Sequence, residues 1–315
     1  MPDAIPREET QSLVHLARLV QETGYAFVTP TPLTHARVNA RPGAAWAHDL
    51  RDVFGWSRPF HDGVAPPAIM DAMRAAGVLA AHEDGWRSLV RLSTLDGLLL
   101  LHSAYPTVAA DAVFFGPDTY RFARAIGGVL DRAIRRAVDI GCGAGPGAIL
   151  IARAHPGAEV FGVDINDAAL RLTRANAALA GVAVQAVHSD LLSGVSGAFD
   201  LIVANPPYLV DPSERAYRHG GGPLGAGLSL KILDAAVGRL APGGTLLLYT
   251  GAAIVDGHDP FHAAAAAPLA GAGLEWGYAE MDPDVFGEEL EGGVYAQADR
   301  IAAVTLTVTR PGNPA

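Results

Sequence analysis

The chain has 315 residues, of which 50% are hydrophobic and 18% charged. That is enough to bury a sizeable core, and the length favours two domains over one and excludes a disordered chain. A formal net charge of -10 gives no general attraction to polyanions, so nucleic acid would need a locally basic face, and the single cysteine, Cys142, makes no internal disulfide. The first thirteen residues lack the basic and apolar regions of a signal peptide. The apolar stretch from His262 to Leu274 is too short and too rich in small residues to span a bilayer. No membrane segment and a cytoplasmic location are expected.

The first helical pattern covers 11–23, with Leu13, Leu16, Leu19 and Val20 at helical spacing, and a proline-punctuated loop follows from Pro30 to Pro42. A second pattern carries Trp46, Leu50, Val53 and Phe54. Pro66-Pro67 then suits the start of a helix running through Ile69, Met73 and Leu79. Two β-like runs, Trp86 to Leu92 and Leu98 to His102, flank a turn from Ser93 to Gly97 whose Asp96-Gly97 pair is a hairpin signal. Three helices and a two-stranded ribbon predict a small, winged-helix-like α+β domain over residues 1–112, serving substrate recognition or as a lid.

From residue 113 to 315 the pattern becomes β/α alternation. Strand-like runs lie at Ala137 to Gly141, Val160 to Ile165, Val182 to His188, Leu201 to Ala204 and Thr245 to Tyr249, with helical stretches between them. Such alternation requires a parallel sheet covered by helices on both faces, with the ligand at the carboxyl ends of the strands. Two further runs, Leu274 to Met281 and Ile301 to Thr309, have no helical pattern between them and predict an antiparallel hairpin at one edge. The expected fold is α/β, a Rossmann-like seven-stranded sheet whose last strand is antiparallel.

The first strand of that sheet ends in Val-Asp-Ile-Gly-Cys-Gly-Ala-Gly-Pro-Gly, residues 138–147. A dinucleotide fingerprint wants glycine where Pro146 stands. Asp139, Gly141, Gly143 and Gly145 fit instead an acidic-x-Gly-x-Gly-x-Gly loop, in which small residues let main chain contact an amino acid and a ribose. Asp164 ends the second strand, placed to accept from both ribose hydroxyls. Asp190, after the third, suits an adenine exocyclic amine, with Leu191 on the ring. Asn205-Pro206-Pro207-Tyr208 closes the fourth strand, its two prolines fixing the backbone where a strand must stop.

Together these segments resemble the class I S-adenosylmethionine-dependent methyltransferases of the Asn-Pro-Pro-Tyr type. That group includes release-factor glutamine, ribosomal RNA base and DNA adenine methyltransferases. The resemblance spans about residues 113–310. Gly116-Pro117-Asp118-Thr119-Tyr120 also looks like the Arg-Pro-Asp-Thr-Glu segment of the glutamine enzymes, with Gly116 and Tyr120 at its two charged positions. Gly220-Gly221 before Leu228 is similar to their Gly-Gly-x-x-Gly-Leu segment, stretched here to nine residues.

The resemblance implies S-adenosylmethionine as cofactor, bound by Asp139, Gly141, Gly143, Gly145, Asp164, Ile165, Asp190, Leu191 and Asn205. It implies transfer of a methyl group to a planar amide or amine nitrogen. The Asn205 side-chain oxygen and the Pro206 carbonyl would accept that nitrogen's N–H groups. Tyr208 would stack on the acceptor or face the sulfonium, with Pro207 and Tyr120 beside the substrate. The acceptor is a protein, an RNA base or a small metabolite, and no metal is required.

Other residues fit ordinary roles. His258 and His262 share a helical spacing broken by Pro260, His219 suits an exposed loop, and the five acids from Asp282 to Glu291 around Phe286 suit a solvated loop or the mouth of the site. Two other functions stand beside methyl transfer: a different S-adenosylmethionine reaction on the same fold, and a DNA-binding regulator using the N-terminal unit. The helix around Ile69 to Gly77 has Arg74 alone as a cation, which favours recognition or a lid over DNA.

Overall fold

The computed structural model describes residues 7–211, 215 and 217–312. The first six residues, where the stretch read for a signal peptide begins, lie outside the described residues, as do 313–315 at the end of the expected second domain. Helix α1 (Arg7–Glu22) buries Leu13, Leu16, Ala17 and Val20 on one face. Short helices α2 (Pro32–Asn39) and α3 (Leu50–Phe54) follow, capped by the side chains of Thr31 and Asp49. Helix α4 (Pro67–Ala75) starts at its proline but stops short of Leu79. Gly77, in the left-handed region, ends it, and Val78 N–H reaches back to the Met73 carbonyl at 3.0 Å.

Leu79 instead opens strand β1 (Leu79–His82), which pairs with β2 (Gly85–Ser88). The single run expected from Trp86 to Leu92 is therefore two strands, broken at the half-exposed Leu89, and β3 (Val90–Leu95) pairs with β4 (Leu98–Ser103). The turn between them is only Asp96-Gly97, both with positive φ, because the strands run on to Leu95 and Leu98.

After α5 (Pro117–Gly127) come β5 (Arg136–Ile140), α6 (Pro146–Ala154), β6 (Glu159–Asp164), α7 (Asp167–Ala180), β7 (Gln185–His188) and β8 (Phe199–Ala204). Then follow α8 (Gly227–Val237), β9 (Leu240–Ile254), α9 (Pro260–Leu269), β10 (Glu275–Asp282) and β11 (Arg300–Thr309). Strand β7 begins later than its apolar pattern suggests. Val182 is consumed in ending α7, its N–H bonded to the Ala177 carbonyl past the left-handed Gly181.

The seven strands are ordered β10-β11-β9-β8-β5-β6-β7, parallel from β9 to β7, with β11 antiparallel to both its neighbours. The expected edge hairpin is present, and β10, the strand with the more polar and exposed sequence, takes the edge. Alternation along β9 sends Leu247 and Tyr249 to the face covered by α5 and α6, and Leu246 and Leu248 to that covered by α8 and α9.

The N-terminal helices share a continuous apolar cluster with Ala169, Leu172 and Ala175 of α7, so this unit rests on the sheet's helical layer. One buried amide ties the two together. Asn176 Oδ1 accepts from Leu101 N–H at 2.8 Å, while its Nδ2 donates to the Leu101 carbonyl at 2.9 Å and the Ala144 carbonyl at 2.8 Å. It thereby links β4 to the loop after β5. Asn176→Ala removes three buried hydrogen bonds and should lower the unfolding free energy by about 2–4 kcal/mol; an unchanged urea midpoint would contradict this role.

Candidate functional site

Strands β5, β6 and β8 end side by side, and the loops leaving them meet in one cavity of about 230 Å³. Its lining includes Asp139, Gly141, Gly143, Asp164, Ile165, Asp190, Leu191 and Asn205 to Tyr208. The structure thus gathers most of the residues singled out in the sequence.

The chain leaves β5 through three glycines, Gly141, Gly143 and Gly145, with φ of 67°, 55° and 85°. Any other L-residue would be strained there. Gly141 and Cys142 N–H both donate to the Val163 carbonyl, at 2.8 and 3.0 Å, which folds the loop onto β6. The Asp164 carboxylate completes the anchor, Oδ2 accepting from Gly143 N–H and Oδ1 from Asn166 N–H, each at 2.9 Å. Each oxygen retains a lone pair for a ligand hydroxyl at the cavity. Ile165, next in the chain, is 56% exposed beside it, an apolar surface for a flat ring.

Asp139 also borders the cavity, but its Oδ2 accepts from Ala148 N–H at 3.0 Å, so this carboxyl is committed to the start of α6. Gly147 is required above it, since a Cβ there would lie 2.5 Å from Oδ2. Gly145 turns against Thr173 and is not in the cavity wall. Tyr120 does not line the cavity either: its hydroxyl accepts from Thr29 N–H at 3.0 Å, fastening α5 to the segment before α2.

At the end of β8, Asn205 is partly exposed and faces the cavity. Neither its side-chain amide nor the Pro206 carbonyl makes a hydrogen bond among the described residues. Tyr208 is 6% exposed, less free than a stacking platform would be. Its ring lies on Gly251, where an added Cβ would come within 2.3 Å, and Phe286 meets it edge-on at 5.8 Å. The Tyr208 hydroxyl donates to Asp118 Oδ2 at 2.8 Å, and the Tyr249 hydroxyl to Asp118 Oδ1 at 2.7 Å. Burial pushes the Asp118 carboxyl up, against the two tyrosine hydrogen bonds and the Arg121 charge. Arg121 in turn holds Asp282 at 2.7 Å.

Asp118 is the residue that sequence reasoning passed over, although it stands inside the Pro-Asp-Thr segment already singled out. The acids around Phe286 are partly in ion pairs: Asp282 with Arg121, and Glu289 with Arg218. Phe286 and Arg218 then form part of the cavity's wall. Pro32 and Phe114 also line it, with Tyr217 stacked on Phe114 at 6.2 Å and bonded to the Thr107 carbonyl. His219 accepts from Asp211 N–H through Nδ1, and His258 and His262 have separate partners, the Asp256 carbonyl and the Tyr278 ring. Cys142 is buried under the glycine loop, which pushes its thiol up and leaves it unreactive.

The family model for the methyltransferase small domain matches residues 124–254. A release factor glutamine methyltransferase of Deinococcus radiodurans is 39% identical over 166 residues, 49% of this chain and 55% of the relative. That of Bordetella pertussis is 32% identical over 194 residues, 54% of this chain and 71% of the relative. The chain thus spans about half the length of the first of these curated relatives. A provisionally assigned transferase of Pyrococcus horikoshii aligns over 78% of this chain and 83% of its own, at 13% identity and a TM-score of 0.50, a likeness of fold alone. A seven-stranded sheet of this order, parallel but for β11, is Rossmann-like. The chain belongs to the class I S-adenosylmethionine-dependent methyltransferases.

The residues present fit that family's cofactor: Asp164 offers free lone pairs, Ile165 an apolar face and the glycine loop exposed main chain. Burial pushes the Asp139 carboxyl up to about 7, with the Asp164 charge adding and the Ala148 N–H opposing. The native state then holds a proton that the unfolded chain releases near pH 4, so the Asp139 contribution to stability falls as pH rises between about 4 and 7. Asp139→Asn should flatten that limb of the stability–pH curve, measured by denaturant unfolding; an unaltered slope would place the proton elsewhere.

Proposed function

We propose that the protein transfers a methyl group to a planar amide or amine nitrogen, with Asn205 and Pro206 presenting that nitrogen. The observation that carries this reading is the pair of acceptors at the carboxyl end of β8 that have no partner among the described residues, opening on the same cavity as Asp164. A planar nitrogen has a delocalised lone pair and two N–H groups in one plane. Two acceptors held by a rigid Pro-Pro turn bind both N–H groups and fix the direction of the lone pair.

S-adenosylmethionine, when bound, supplies the methyl group from its sulfonium. Asp164 and the glycine loop hold the adenosine end, and Asp139 keeps the loop in place from below. Asp118 holds the Tyr208 and Tyr249 hydroxyls, so the turn after Asn205 cannot swing, and Phe286, Phe114 and Tyr217 exclude water. The displacement disperses charge, so alignment contributes most of the acceleration.

The relatives of Deinococcus and Bordetella are glutamine methyltransferases by name, which makes a protein glutamine side chain the first acceptor to test. RNA bases and small amides remain the comparison set. Residues 1–112 would then serve as the substrate-recognition domain beside the 113–315 catalytic domain, and Pro32 brings the former to the cavity wall.

Asn205→Ala should lower turnover by on the order of 100-fold while leaving S-adenosylmethionine affinity unchanged. Asp164→Ala should weaken that affinity by about 10- to 100-fold, the loss of hydrogen bonds to a charged acceptor. Calorimetry and single-turnover assays separate the two effects. Undiminished methylation by Asn205→Ala, or methylthioadenosine in place of S-adenosylhomocysteine as product, would overturn the reading.

A further inference from the structure

Among the described residues, four buried side-chain nitrogen atoms lack a hydrogen-bond partner: His35 Nε2, Arg91 Nε, Arg91 Nη2 and Arg174 Nη1. Arg174 is otherwise served, since its Nη2 donates to the Ala186 carbonyl. The other three belong to two neighbouring side chains of the N-terminal unit, Arg91 and His35, close enough for the Arg91 charge to act on the His35 ring. Arg91, 4% exposed, lies on β3 opposite His102, and His35, 1% exposed, lies in α2. Phe27 lies 5.5 Å from the guanidinium carbon, and the Tyr105 and Trp56 rings pack at 4.0 and 5.5 Å from the His35 ring. Tyr25 donates to the Leu92 carbonyl at 2.9 Å.

The charge is as unbalanced as the hydrogen bonding. Burial, aided by the Arg91 charge, pushes His35 down to about 3 and His102 well below the usual imidazole range, so both are neutral. No carboxylate of the described residues pairs with Arg91, and the nearby Arg58 is already matched to Asp52 at 2.6 Å. A guanidinium removed from water with no acid beside it is costly. A trapped water would satisfy N–H groups but would leave the charge.

The identity of the free atoms narrows the occupant. Nε and Nη2 form one edge of the guanidinium, the fork that meets carboxylate oxygens side-on. The same edge takes a carboxylate twice elsewhere in this chain, on both oxygens of Asp211 and on the single Oδ2 of Asp282. Arg121 Nε and Nη2 reach Asp282 at 3.1 and 2.7 Å, and Arg215 Nε and Nη2 reach Asp211 at 2.8 and 2.6 Å. His35, beside it, is held by Asn39 and by the Trp56 carbonyl, and it is neutral, so it contributes no charge to balance the guanidinium.

We propose that Arg91 is a binding site for a compact carboxylate, gripped by its Nε and Nη2 fork. Arg91 is nearly buried and Phe27 covers its guanidinium, so the ligand is a small free acid, not the end of a polymer. The site is separate from the methyl-transfer cavity but close to its wall, because Pro32, one turn before His35, lines that cavity. An acid seated there would order α2 and with it one side of the acceptor's entrance.

Formate is the probe. The thermal unfolding midpoint of the full chain is followed as formate replaces chloride at constant ionic strength. The wild type should show a saturable rise. Arg91→Lys keeps the charge but breaks the fork and should weaken apparent formate affinity at least about tenfold, and Arg91→Met should abolish the rise. S-adenosylmethionine titration confirms that each variant is folded and tests the methyltransferase reading separately. Absence of a saturable rise in the wild type, or an equal rise in Arg91→Lys, would overturn the proposal.

Discussion

The carboxyl edge of the sheet depends on how the chain turns from β5 into α6. That turn is a run of left-handed glycines with almost no side chains to hold it, so it is held from outside. The Val163 carbonyl takes two of its N–H groups and the Asp164 carboxylate a third. Asn176 and Thr173 of α7 take the carbonyls of Ala144 and Gly143. Main chain with no bulk above it is thereby kept still enough to contact a ligand closely. Asp139 does the complementary task, its buried carboxyl accepting from the first turn of α6.

The second half of the site obeys a different constraint. Asn205-Pro206-Pro207-Tyr208 ends β8 with a stiff backbone, but stiffness alone does not aim a side chain. The aim comes from the floor: Tyr208 lies on Gly251 of β9, and Asp118 of α5 ties it to Tyr249 of the same strand. Three segments distant in the chain thus fix one ring, and the acceptors at Asn205 and Pro206 inherit its position. In the proposed reading the two halves separate cofactor binding from acceptor presentation, so each should be alterable alone.

Much of this was legible in the chain. The central strands read clearly because apolar runs alternate with helical patterns, and the glycine loop, Asp164 and the Asn-Pro-Pro-Tyr turn each sit at a strand's end, where chemistry and topology coincide. What was hidden depended on contacts between distant residues. Asp118 reads as an ordinary acid at a helix start until Tyr208 and Tyr249 are folded onto it, 90 and 131 residues away. Arg91 reads as a polar residue on a ribbon, and only burial without a counterion makes it notable. The helix expected to reach Leu79 and the strand expected to begin at Val182 both failed at left-handed glycines, where a capping bond overrode an apolar pattern.

The most direct test is a crystal structure of the protein with S-adenosylhomocysteine. The account predicts ribose hydroxyls on the Asp164 carboxylate, the adenine over Ile165, and the sulfur facing the Asn205 amide across the cavity. A ligand whose amino acid end occupied Asn205, or whose ribose lay away from Asp164, would contradict it.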